Sequence, residues 1–209
     1  MTHFVTLATN KYYDLGVRFA EGLNEYFRGG HTLHLFVDRL DPLPANTLLY
    51  PRSHKDWRTA TNDKFNCMGR IGIDPSDYVY YVDADTRVYR EVCLADVEGE
   101  LVGFQHFNKG LWCHEPNVMS AAHVPVNTPF HKQWFMGAMW GGRYGRVKAM
   151  CAILQRNQES DWAMGYEPGV NDESHLNHYF HYNPPTRSVE FSAYPFKVSD
   201  KGGAGCLRT

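Results

Sequence analysis

Five bulky β-formers, Tyr78-Val79-Tyr80-Tyr81-Val82, run straight into Asp83-Ala84-Asp85. An apolar, aromatic run of this kind is a buried strand. It must leave its sheet where the carboxylates begin, and in an open α/β sheet ligands collect where strand carboxyl ends emerge. Residues two apart on an extended chain share a face, so Asp83 and Asp85 converge on one point if the strand geometry persists. Carboxylates placed together repel, and a hard divalent cation relieves the repulsion. Magnesium or manganese held this way also bridges to substrate phosphates, such as those of a diphosphate. Asp-x-Asp alone fits the start of a solvated turn equally well, and the β run in front of it shifts the balance toward a site.

The rest of the chain supplies a sheet for that strand. Phe4–Ala8 reads as a strand and Asp14–Phe27 as a helix, with Leu15, Phe19, Leu23 and Phe27 at helical spacing. Gly29-Gly30 stops it and His31–Val37 is a second strand, so the opening is β-α-β with a right-handed crossover. Trp57–Ile71 is expected to be helical, Leu101–Gln105 a short strand, and 108–131 a long surface excursion. Arg143–Gln158 reads as a helix burying Val147, Met150, Cys151 and Leu154. Asn171 or Asp172 is placed to cap a helix that Pro184-Pro185 ends. Val189–Phe191 reads as a last strand. The expectation is one α/β domain over residues 1–200, with a mixed, mostly parallel sheet flanked by helices, and a flexible tail over 201–209.

Composition narrows the partners. Lysine and arginine number 21 against 23 acidic residues, which argues against a nucleic-acid polyanion. Thirteen tyrosines and five tryptophans lift the aromatic fraction to 14%, and amphipathic rings suit sugar and base faces as well as cores. The five cysteines form no C-x-x-C pair. They fit small buried residues in a reducing compartment. With no signal-type amino end and no apolar run of about 18 residues, a soluble, cytoplasmic protein is expected. The spacing of His175 and His178 lacks the H-E-x-x-H pattern of a zinc-protease helix.

Three segments stand in a telling order: Tyr81-Val82-Asp83-Ala84-Asp85, Met136-Gly137-Ala138-Met139-Trp140-Gly141-Gly142 and Asn171-Asp172-Glu173-Ser174-His175-Leu176-Asn177. Together, and with Leu7-Ala8-Thr9-Asn10-Lys11-Tyr12, they resemble glycosyltransferase family 6, the family of the histo-blood-group A and B transferases and of the α-1,3-galactosyltransferase. Asp-Glu-Ser-His-Leu-Asn is the most specific piece.

The resemblance implies a GT-A fold, a UDP-sugar donor, a glycan acceptor and transfer with retention, in α-1,3 linkage. By motif it makes Glu173 the catalytic residue and assigns Asp83 and Asp85 to a manganese ion, with magnesium as the alternative. It places Leu7, Thr9, Tyr12, Trp57, Lys64, Ala84, Met136, Gly137, Ala138 and Asp172 on the donor and His106 on the acceptor. Other members often carry Arg at Lys64, so a bidentate contact becomes a point charge here. Without the resemblance, Asp172 and Glu173 would read as acids at a helix start. Met136-Gly137-Ala138 is similar to the segment that selects galactose over N-acetylgalactosamine, so galactose is the expected sugar.

The chain also departs from the family. Val170-Asn171 replaces Trp-His ahead of Asp-Glu, and the late basic residues reduce to Lys197, Lys201 and Arg208. The alternatives are a transferase of glucose or N-acetylgalactosamine and a non-catalytic sugar-nucleotide binder. Retention of Glu173 argues against the last.

Overall fold

A computed structural model describes residues 1–106, 114–125, 133–190, 193 and 196–198. The expected tail over 201–209, with Lys201 and Arg208, lies outside them. In chain order the elements are β1 (Thr2–Leu7), α1 (Tyr13–Tyr26), β2 (Phe27–Arg28), β3 (His31–Val37), β4 (Thr47–Pro51), α2 (Trp57–Asn62), α3 (Lys64–Arg70), β5 (Tyr78–Val82) and β6 (Thr86–Val88). They continue with β7 (Val92–Cys93), β8 (Leu101–Gln105), β9 (Phe135–Arg143), α4 (Tyr144–Ala163), α5 (Asn171–Tyr182), β10 (Arg187–Val189) and β11 (Phe196–Val198).

Every residue of β1 is buried, as a strand covered on both faces must be. It lies inside a seven-stranded sheet of order β10-β8-β9-β5-β1-β3-β4. All pairings are parallel except those of β9, which runs antiparallel to β5 and β8. The α/β, mostly parallel expectation therefore holds. On one face α1 sets Phe19 and Leu23 in a core with Phe4, Leu33 and Tyr80. On the other, α3, α4 and α5 set Phe65, Val147, Leu154, Leu176 and Phe180 in a core with Tyr81 and Trp140. The Trp140 and Tyr81 rings stack at 5.6 Å.

The reversed strand builds the site. Because β9 is antiparallel, its amino end lies beside the carboxyl end of β5, with Val82 opposite Met139. The Asp83 N–H donates to the Ala138 carbonyl at 2.9 Å. Met136-Gly137-Ala138 and Asp83-Ala84-Asp85 thus meet at the same end of two central strands. The close approach of β9 to β5 also explains Gly141, where a Cβ would stand 2.2 Å from the Val79 carbonyl oxygen.

Some elements depart from the sequence reading. The expected helix Trp57–Ile71 is two helices broken at Asp63. That carboxylate is drawn into tertiary bonds with Arg52 at 2.6 and 2.7 Å and with His54 at 3.1 Å. Burial pushes the Asp63 carboxyl up, but the His54, Arg52, Asn66 and Cys67 hydrogen bonds outweigh it and hold it well below the usual range. Strand β4 was not anticipated; it adds to β3 at the sheet edge. The last sheet strand is Arg187–Val189, and position 191 of the expected strand is outside the described residues. Neither Asn171 nor Asp172 caps α5. The cap position is Val170, which makes no side-chain cap bond, and Asn171 takes φ 45°.

Candidate active site

Leu7 ends β1, Tyr12 ends a short 3-10 turn, and both face a cleft that Asp83, Ala84 and Asp85 close from the β5 end. The far wall is α2 and the start of α3. Trp57, Ala60, Thr61 and Lys64 line it, a spacing that puts them on one helical face. Helix α2 starts with a capping box in which Asp56 accepts the Thr59 N–H at 2.9 Å. Trp57 is 54% exposed, an aromatic ring open to the cleft rather than spent in the core.

Lys64 ties the cleft to α5. Its buried ammonium lies 3.1 Å from Asp83 Oδ1 and 3.0 Å from Asp172 Oδ2. Burial lowers the Lys64 pKa, but Asp172 and Asp83 outweigh that and hold it raised. Tyr81 donates its hydroxyl to the same Asp83 oxygen at 2.8 Å. Glu173, next to Asp172, receives the Trp134 indole N–H on Oε1 and the Gly137 N–H on Oε2, each at 2.6 Å. A Cβ at Gly137 would stand 2.9 Å from Asp172 Oδ2 and 3.2 Å from Glu173 Oε2, so glycine lets both acids approach the strand. Asn177 locks α5 onto β9, accepting the Phe135 N–H and donating to the Phe135 carbonyl, both at 2.8 Å.

The cluster holds more acids than cations. Asp83 and Asp172 share the Lys64 ammonium, Glu173 beside them has only N–H donors, and Asp85 lies buried two residues from Asp83. Burial lifts the Glu173 carboxyl to about 7 against the opposing Gly137 and Trp134 bonds. Burial, partly offset by Lys64, lifts Asp172 to about 6. The Lys64 and Asp172 shifts pull in opposite senses for one ion pair. The charge count reconciles them: Lys64 stays ionised between two acids, and Asp172 receives only part of its charge. Among the described residues no group of three or more His, Cys, Asp or Glu side chains converges as a metal cage. A two-carboxylate set with excess negative charge still fits a cation that draws its other ligands from substrate phosphates and water.

The other expected positions fall differently. Thr9 is buried behind the cleft, with Oγ1 3.1 Å from His54 Nδ1. Met136 is 4% exposed and packs in the α1-side core, with the partly buried Ala138 against it. The His106 N–H donates to the Trp134 carbonyl at 2.8 Å, which puts its backbone one residue contact from the indole that holds Glu173. Sequence reasoning missed Trp134 and Asn177 as supports of that carboxylate. Asn177 closes the Asp-Glu-Ser-His-Leu-Asn motif, but its partner strand is distant in sequence. Trp134 adjoins the Phe135 run and carries no local signal of its role.

Comparison with known proteins agrees with this geometry. The profile described as glycosyltransferase family 6 matches residues 2–194. The chain belongs to that family. Rat histo-blood group ABO system transferase 2 is 25% identical over 198 residues, covering 86% of this chain and 59% of that protein. Mouse globoside alpha-1,3-N-acetylgalactosaminyltransferase 1 is 24% identical over 199 residues, covering 86% and 56%. The chain thus spans little more than half the length of these family 6 relatives. Among the described residues no helix is long and apolar enough to cross a membrane.

The shifted acids make stability depend on pH in a definite sense. Asp172 and Glu173 have folded pKa values of about 6 and about 7, above their unfolded values. Their contribution is present at low pH and lost as pH rises through that range. His34 and His175 are each lowered by burial to about 4, so stability is lost as pH falls below their unfolded value of about 6.5. The melting temperature of the ligand-free protein is expected to peak between about pH 6 and 7. Thermal melts across buffers of equal ionic strength check this, and a steady rise toward pH 8.5 would count against it.

Proposed function

We propose that this chain is a metal-dependent retaining glycosyltransferase that moves a hexose, with galactose favoured, from a UDP-sugar to a glycan acceptor in α-1,3 linkage. The observation that carries the reading is the pairing of Glu173, fixed by Trp134 and Gly137, with the Lys64 bridge from Asp172 to Asp83. A cleft for a nucleotide and a fixed carboxylate then adjoin at the carboxyl end of a central strand, where α/β folds bind ligands.

Each residue has a stated task. Leu7, Tyr12 and Trp57 offer apolar and aromatic surface to the base and ribose. Asp83 and Asp85 would hold Mn2+, or Mg2+, which when bound neutralises the diphosphate as it leaves. Lys64 keeps Asp83 and Asp172 oriented, and Asp172 accepts donor hydroxyls. Glu173 stabilises positive charge at the anomeric carbon, a task that carboxylates perform in retaining glycosidases. Its two N–H donors hold the oxygens still, so little reorganisation is needed as charge develops. His106, whose N–H donates to the Trp134 carbonyl, would meet the acceptor.

The galactose preference rests on Met136-Gly137-Ala138. Met136 fills the core beside the sugar segment, and the Ala138 methyl takes room that an N-acetyl group would need; packed surroundings resist added atoms. UDP release measured side by side with UDP-galactose and UDP-N-acetylgalactosamine tests both levels of the reading. Release from neither, with manganese and an acceptor array present, would sink the transferase. Faster release from the N-acetyl sugar would overturn the donor choice alone. Ala138→Gly is expected to narrow the gap between the two donors by about tenfold, the worth of a small group in a packed pocket.

A further inference from the structure

A buried carboxylate away from the cleft bonds to the link that precedes the two site acids. Glu115 is 2% exposed. Its Oε1 accepts the Tyr166 hydroxyl at 2.7 Å and the Asn117 N–H at 2.9 Å, and its Oε2 accepts the Gly169 N–H at 3.0 Å. Tyr166 and Gly169 belong to the link between α4 and α5, and Asp172 and Glu173 follow within one helical turn.

The bonds at the two ends of that link differ: Tyr166 and Glu167 are held to α4 and α2 at its start, while the residues just before α5 lean on Glu115 through the Gly169 N–H. Helix α5 starts without a side-chain cap, and Asn171 sits at φ 45°, a left-handed conformation that asparagine tolerates better than most residues but that gives the helix no cap. Besides the Asn171 N–H to the Pro168 carbonyl at 3.0 Å and the Val170 N–H to Ser174 Oγ at 3.2 Å, the Tyr166 N–H donates to the Asp161 carbonyl at 2.9 Å, and Glu167 pairs with Arg58 at 3.0 Å and accepts from Asn62 at 3.2 Å. Glu115 adds a charged acceptor with two attachment points, and hydrogen bonds to a charged group are the strong ones. The segment carrying Glu115 is itself anchored. Asp161, fully buried on α4, accepts Ser120 Oγ at 2.7 Å and the Ala121 N–H at 2.8 Å. The ring nitrogen His178 Nδ1 on α5 lies 2.7 Å from the His123 carbonyl oxygen. Glu115 therefore works from a platform tied to both helices.

We propose that Glu115 is a positioning residue: by holding Tyr166 and Gly169 it sets the first turn of α5 so that Glu173 meets the Trp134 indole and the Gly137 amide. The inference rests on the catalytic reading of Glu173, but its test need not. Glu115→Gln keeps the shape; its amide oxygen is best kept at the Oε1 position, which accepts two donors, so its N–H2 faces the Gly169 N–H and releases that tether. Tyr166→Phe removes the other contact alone.

In the full chain labelled at its tryptophans, the Trp134 indole N–H resonance reports its bond to Glu173 and is assigned with Trp134→Phe. At one fixed pH, Glu115→Gln is expected to shift that resonance toward the position of a free indole, with Tyr166→Phe intermediate. Turnover should fall by about 10-fold to 10²-fold, the cost of a small misplacement, with the donor KM held within about twofold. The two variants combined should be less than additive, since they act on one link. An unshifted resonance in both variants overturns the proposal, whatever the activity does, because a purely structural anchor lowers the folded fraction without moving it. A raised donor KM with turnover intact overturns it as well. If Glu115→Gln does not fold, Tyr166→Phe carries the test. If the unmodified protein transfers no sugar, the enzymatic reading falls, and the resonance still decides whether Glu115 places Glu173.

Discussion

Glu173→Gln is expected to leave UDP affinity within about twofold while cutting transfer by about 10²-fold to 10³-fold. The affinity survives because the cleft residues Leu7, Tyr12, Trp57, Asp83 and Asp85 lie on β1, the 3-10 turn after it, α2 and the β5 end, while the Glu173 oxygens bond to Trp134 and Gly137. Transfer fails for two reasons. The amide carries no charge to answer the positive charge at the anomeric carbon. It also has one acceptor oxygen where the carboxylate uses two, so its N–H2 must face either the Trp134 indole or the Gly137 N–H, each now at 2.6 Å. The ionised form is the working one, and burial lifts its pKa to about 7. The free-enzyme kcat/KM should therefore rise with pH through that region. Calorimetry with UDP and single-turnover transfer, run on the same preparation, decide the matter. A raised KM with an unchanged turnover number would make Glu173 a binding group.

The parts of this design that were readable in sequence are those that depend on local pattern. Tyr78–Val82 is an unbroken run of β-formers, so the strand and the exit point of Asp83 and Asp85 could be placed without a partner. The α4 face of Val147, Met150, Cys151 and Leu154 follows from helical spacing, and all of these residues are buried. What was not readable depends on contacts between distant segments. The break at Asp63 exists because Arg52 and His54 draw that carboxylate out of a continuous helix. The start of α5 carries Asn, Asp and Glu, the residues expected to cap, yet Asp172 turns to Lys64 and Glu173 to β9. Local rules fail there because the side chains are committed to the site, and a failure of that kind is itself a sign of function. Thr9, which the family resemblance assigned to the donor, has its hydroxyl 3.1 Å from His54 Nδ1, a contact between distant segments that no local pattern announces.

Asp85→Asn is expected to abolish manganese-dependent transfer and to weaken UDP binding in the presence of manganese by about 10-fold to 10²-fold. The argument is one of charge. Asp83, Asp85, Asp172 and Glu173 gather at one end of the sheet, where the buried Lys64 ammonium pairs with Asp83 and Asp172. A diphosphate brings more negative charge to the same place, and Lys64 is already shared between two acids. A divalent cation between the aspartates and the diphosphate offsets both at once. Asp85 is expected to matter more than Asp83, whose Oδ1 is engaged by Tyr81 at 2.8 Å and by Lys64 at 3.1 Å. The asparagine keeps the shape of the turn, in which the Thr86 N–H donates to the Asp83 carbonyl at 3.0 Å. It removes the charge that holds a cation against its own hydration. Calorimetric titration of UDP with and without manganese reads the effect directly, apart from turnover. Full transfer by the unmodified protein in excess chelator, or UDP binding indifferent to manganese, would show that Lys64 alone meets the charge and that the two aspartates serve another end.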